Sequence, residues 1–160
     1  MTKAETVSAI RKAASDEGID PELYLALCTV ESSLNPFALR YEPHYRYTTR
    51  CADWASNFHI SPTTEEALQK FSYGASQVMG GVMREYGYTK HLALWIADLE
   101  APLKIGAKHL KKFLIRHHTV EEAVSSYNAG SPRRTPGGLF ENQVYVDKVF
   151  RELRALQKLS

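Results

Sequence analysis

The run Leu23, Leu27, Val30 and Leu34 recurs at three- and four-residue spacing and is stopped by Asn35-Pro36. That spacing predicts an amphipathic helix, and Asn-Pro sets where it must stop. Asp20 as N-cap and Pro21 at the first helical position set where it begins. Glu31 lies four residues after Leu27, on the edge of the apolar stripe and in the last turn. Unpaired carbonyls at a helix end disfavour an ionised carboxylate, as does desolvation, so both raise its pKa. A carboxyl kept protonated near neutral pH is a proton donor, as glycoside cleavage requires. The alternative reading is an ordinary exposed glutamate at a helix end.

The 160 residues, 44% of them hydrophobic, suit one domain over 1–160 with its own core. A formal charge of +2 gives no argument for a nucleic-acid partner. Cys28 and Cys51 cannot form a disulfide framework, and Cys28 reads as a small buried thiol on the glutamate's helix. The N-terminus reads without a signal peptide and no stretch is long and apolar enough to span a membrane, so synthesis in the cytoplasm without membrane insertion is expected.

Helix signals recur along the chain. Thr2 with Glu5 forms a capping box closed by Gly18; Ser61-Pro62 and Thr63 with Glu66 open another helix. Helices are predicted over about 101–116, from the Thr119/Glu122 cap to Gly130, and over about 141–158. From Asn35 to Ser61 the helical period is lost. The stretch Arg40-Tyr41-Glu42-Pro43-His44-Tyr45-Arg46-Tyr47 reads as a loop or lobe beside a groove, its rings suited to stacking on sugars or to capping the core edge. The fold class is all-α in the main, with any hairpin confined to 37–60.

Three motifs stand in order: Glu31-Ser32-Ser33-Leu34-Asn35-Pro36, Gly74-Ala75-Ser76-Gln77 and Tyr127-Asn128-Ala129-Gly130, followed by Tyr145-Val146. Over roughly residues 19–150 this order resembles the soluble lytic transglycosylases, bacterial and phage relatives of goose-type lysozyme. The resemblance implies a lysozyme-like fold, peptidoglycan as substrate, Glu31 as acid and base, and a saccharide groove lined by Gln77, Tyr127, Asn128 and Tyr145, with Ser33 beside them. The second motif usually reads Gly-Leu-Met-Gln in that family, so sugar contacts of the middle pair do not carry over to Ala75 and Ser76. The Arg-Tyr-Glu-Pro-His segment looks like that of phage and prophage members, which implies action on the wall after release from the cytoplasm or carriage on a phage particle.

One glutamate suffices where the substrate supplies its own nucleophiles. Asp53, Asp98 and Glu100 are second carboxylates only in being acidic. The six histidines form no i, i+4 pair and none stands with a cysteine, so no metal and no cofactor is expected. The reading is thus a monomeric peptidoglycan lytic transglycosylase, with a hydrolytic muramidase or a non-catalytic glycan-binding or virion module as alternatives. One serine hydroxyl, Ser32 or Ser33, is expected to hydrogen-bond Glu31.

Overall fold

The computed structural model describes residues 1–158. Helix α1 (Lys3–Glu17) starts on the expected box: Thr2 Oγ1 accepts from Glu5 N–H and the Glu5 carboxylate accepts from Thr2 N–H. It stops at Gly18, whose φ of 70° is left-handed. Helix α2 (Pro21–Ser32) follows, capped by Asp20. Residues Leu23 to Cys28 are all buried, since α2 runs between neighbours on more than one side: α8 (Gln143–Gln157) and α1 both pack on it. Ser33 and Leu34 both take positive φ, and the Asn35 side chain accepts from Phe37 N–H, so the chain turns away directly behind Glu31.

Two apolar clusters fill the molecule. The first joins α1, α2 and α8 to α6 (Glu100–Arg116) through Ile10, Tyr24, Leu27, Leu110 and Val149. The second gathers Tyr73, Met83, Leu92 and Trp95 between a small sheet, helix α5 (Gly80–Glu85) and the 3₁₀ turn Leu92–Asp98. Helix α6 serves both, with Leu103 in the first and Ile105 in the second. Gly106 of α6 is obligatory, because a Cβ there would overlap Tyr24 Oη and Ser76 Oγ. Those hydroxyls donate to Leu103 O (2.7 Å) and Pro102 O (2.9 Å), tying α2 and the sheet to one helix.

The sheet corrects the sequence reading. Strand β1 (Leu39–Tyr41) pairs antiparallel with β2 (Phe71–Tyr73), which pairs with β3 (Val78–Met79), so the hairpin is not confined to 37–60. Strands of two or three residues are too short to show alternation. Within the stretch read as loop, Cys51–Phe58 is a helix, α3, missed because Arg50 precedes it without a side-chain cap. Helix α4 (Pro62–Gln69) is capped by Ser61 and not by the Thr63/Glu66 pair, since Glu66 instead faces Lys70. Helix α8 begins two residues later than expected, Glu141 being held by Arg133 at 2.8 Å. Cys28 and Cys51 are both free thiols.

A fully buried ion pair braces this half of the molecule. Arg84 of α5 faces Glu65 of α4 at 2.7 and 3.1 Å, with both side chains wholly inaccessible. The Arg84 Nη1 donates to Tyr88 O and Lys90 O, and its guanidinium lies 4.2 Å from the Trp54 ring centroid. The Gln69 amide donates to Glu65 and to Thr49 O and accepts from Thr49 N–H. Every member is thereby satisfied, which is the condition for a buried polar network to hold structure. Through Thr49 it anchors the segment carrying Tyr45 and Tyr47, and Gly81 lets that segment sit against α5, since a Cβ would lie 2.6 Å from Tyr47 O.

Candidate active site

Glu31 lies in an open cleft of about 590 Å³, within the range of ordinary ligand sites. The sheet and the segment after it contribute Arg40, Glu42, Tyr45, Tyr47, Gln77 and Met79; α6 contributes His109, Lys112, Phe113 and Arg116. Helix α7 (Val120–Ala129) ends in the cleft with Tyr127 and Asn128, and Arg133 follows in the next loop.

The Glu31 carboxylate accepts one hydrogen bond, from Tyr145 Oη at 2.6 Å. Its pKa is raised to about 7, chiefly by burial; the Tyr145 bond and Arg40 oppose the shift and Glu42 adds to it. Burial, one of the two causes expected from the sequence, is the largest cause of the shift. Arg40 and Glu42 pair with each other at 2.5 Å, so the cleft's nearest charges largely offset one another. Tyr145 does not line the cleft but reaches Glu31 from α8, and its phenol is pushed well up by burial and then by the carboxylate. Tyr145→Phe is therefore expected to move the alkaline limb of the activity profile to higher pH, because the bond that lowers the Glu31 pKa is gone. Turnover should fall about 10- to 100-fold through lost orientation. An unchanged pH profile in that variant would break the link.

The other motif residues divide. Gln77, in the left-handed region with φ 50°, lines the cleft, but its amide already accepts from Ser72 Oγ (2.8 Å) and donates to Gly74 O (3.0 Å). One amide proton and one lone pair remain for a ligand. Tyr127 lines the cleft while its hydroxyl donates to Ser76 O at 2.8 Å. Asn128 is exposed there, its Oδ1 accepting from Asn142, so its NH₂ is left to the cleft. Ser33 lies outside the cleft as the exposed C-cap of α2. The hydroxyl expected on Glu31 goes elsewhere: Ser32 Oγ donates to Ala75 O at 2.8 Å. Ala75 and Ser76 are buried, so the departure from the family pattern falls on side chains packed inward.

Asp53, Asp98 and Glu100 all lie outside the cleft, paired with Arg50, Lys90 and Lys104. The carboxylates that do share it with Glu31 are Glu42 and Glu85, neither of which stood out in the sequence. Tyr45 and Tyr47 border the cleft with ring centroids 5.7 Å apart, whereas Tyr41 packs on Phe71 at 5.0 Å, so the rings of the aromatic stretch divide between the cleft and the sheet. His109, Lys112, Phe113 and Arg116 repeat at helical spacing beside the α6 stripe, a signal that could have marked a second face of that helix. His109 is kept neutral, its pKa lowered to about 4 by burial and by Lys112. Among the described residues no group of three or more His, Cys, Asp or Glu is placed to hold a metal ion, and no helix is long and apolar enough to cross a membrane.

Mainly α, with an acid at the end of a buried helix facing an open cleft, the molecule has a lysozyme-like fold. The family model described as Transglycosylase SLT domain matches residues 8–135, and the chain belongs to that family. At family level this means peptidoglycan glycan cleavage. No curated protein and no solved structure matches the chain. Tyr145 lies beyond the matched residues, so its place in the site rests on its bond to Glu31.

Proposed function

We propose that this domain is a lytic transglycosylase that cleaves the β-1,4 bond between N-acetylmuramic acid and N-acetylglucosamine with Glu31 as acid and then base. The observation that carries the reading is the Glu31 carboxyl, raised to about 7 inside the cleft and oriented by one phenol. Protonated, it donates to the glycosidic oxygen as the C1–O bond breaks. The muramoyl acetamido oxygen supports C1, and the resulting Glu31 carboxylate takes the proton from the O6 hydroxyl as O6 bonds to C1. The carboxyl ends as it began, and no water is consumed. An intramolecular nucleophile favours this route, since effective molarities reach about 10⁵ M or more. Gln77, Tyr127 and Asn128 hold the sugar on this reading.

Mass spectrometry of a wall digest tests it. The expected muropeptides carry 1,6-anhydromuramoyl ends, lighter by one water than hydrolysed ones and inert to borohydride. A digest whose ends are all reducible would make the enzyme a hydrolytic muramidase. Glu42 supports that second reading, being a carboxylate in the same cleft that could hold water; Glu42→Gln should then abolish release of the reducible ends. A non-catalytic glycan-binding module is disfavoured by the tuned acid. The peptidoglycan substrate lies outside the cytoplasm, so the reading includes delivery to the wall, by release at lysis or on a phage particle. The reading takes the domain to act as a monomer.

A further inference from the structure

The imidazole of His109 is built into the cleft in a way that core packing does not explain. Its ring is ringed by Tyr86, Phe113 and Tyr127, with centroids 5.8, 4.8 and 5.7 Å away. Its Nδ1 is buried and has no hydrogen-bond partner among the described residues. A buried N–H without a partner is rarer and costlier than a bare acceptor, so the proton belongs on Nε2, the nitrogen left to the cleft that His109 lines. A leucine or phenylalanine would fill such an aromatic slot without orphaning a nitrogen.

We propose that His109 is a substrate-positioning residue whose neutral Nε2–H donates a hydrogen bond to an amide carbonyl oxygen of the bound substrate. The match is chemical. A sugar hydroxyl donates as well as accepts, but the ring offers the cleft no acceptor, since Nδ1 is turned into the protein; an amide oxygen only accepts. Peptidoglycan carries that oxygen in its acetamido groups and in its peptide. Tyr127, its own hydroxyl held by Ser76 O, packs against the His109 ring at a centroid distance of 5.7 Å. The inference rests on the glycan-cleaving reading and adds a residue to it; His109 plays no part in bond breaking.

Two-bond ¹⁵N–¹H correlation spectra of histidine-labelled Glu31→Gln protein, which should bind without cutting, test the proposal at neutral pH. The expected spectrum has His109 as the Nε2–H tautomer, and its Nε2 resonance moves on saturation with N-acetylchitooligosaccharide or with a muramyl peptide. Movement with the saccharide identifies the acetamido oxygen, and movement with the peptide alone identifies a peptide carbonyl. With Glu31 intact, His109→Leu should raise KM for wall fragments about tenfold with kcat nearly unchanged, the loss of one hydrogen bond, and His109→Gln should recover part of it. An Nδ1–H tautomer overturns the proposal. So does an unmoved Nε2 while Tyr127 resonances report saturation, or a His109→Leu variant that loses activity only in proportion to its unfolded fraction. If wild-type protein releases no glycan fragments and neither ligand shifts any resonance, the functional reading fails first and the assignment falls with it.

Discussion

Glu31→Gln removes wall-lytic activity and, at neutral pH, makes the protein more stable. The first half follows from chemistry: glutamine keeps the shape and can still accept from Tyr145, but neither donates a proton to the leaving oxygen nor recovers one. General acid–base assistance is worth about 10² to 10⁴ per transfer, and one residue here serves two transfers, so a loss of at least 10³ is expected. The second half follows from linkage. The folded protein holds a proton on Glu31 up to about 7, whereas the unfolded chain releases it near the ordinary value of 4.5. Between those values unfolding releases a proton, so rising pH favours unfolding and the wild type loses stability that the variant keeps. At 1.36 kcal/mol per pKa unit the difference reaches about 3 kcal/mol above pH 7 and vanishes below pH 4.5. Paired denaturation curves at several pH values, beside a glycan-release assay, measure both. More than a few per cent of activity in the variant would move the acid elsewhere, and equal stability across the pH range would remove the buried-acid argument.

Arg84→Met is expected to lower stability by about 3–5 kcal/mol, a large share of the 5–15 kcal/mol that holds a domain together. The variant leaves the Glu65 carboxylate wholly buried without its cation and strands Tyr88 O and Lys90 O. Glu65→Gln, which keeps volume but not charge, should cost a comparable amount by orphaning the guanidinium. The two losses should not add in the double variant, because both remove the same interaction. Since the network reaches Tyr45 and Tyr47 through Thr49, saccharide affinity should fall at temperatures where the folded fraction is still high. Urea unfolding of the three variants provides the cycle, and single losses under about 1 kcal/mol would mean that the pair is replaceable.

Caps and stops were legible because their chemistry closes within a few residues. Thr2 with Glu5, Asp20 with Pro21, Thr119 ahead of α7 and Gly130 after it each satisfy orphan backbone groups locally, so residue type and position suffice. The same holds for Glu31, whose place at the end of an apolar helix foretold a raised pKa. What joins distant segments was not legible. Strand β1 finds its partner some thirty residues on, Tyr127 reaches Ser76 across 51 positions, and Tyr145 reaches Glu31 across 114. A single sequence carries no local mark of such pairings, since either partner is equally plausible as an ordinary surface or core residue. Sequence alone therefore determined the locally capped helices, the place of the Glu31 carboxyl at a helix end and the order of motifs, but not α3, which lacks a side-chain cap. Tertiary packing alone decided that a tyrosine orients the acid, that Ser33 stands aside, and that Glu42 and His109 enter the cleft, because solvent exclusion and approach between remote chain segments exist only once the two cores close.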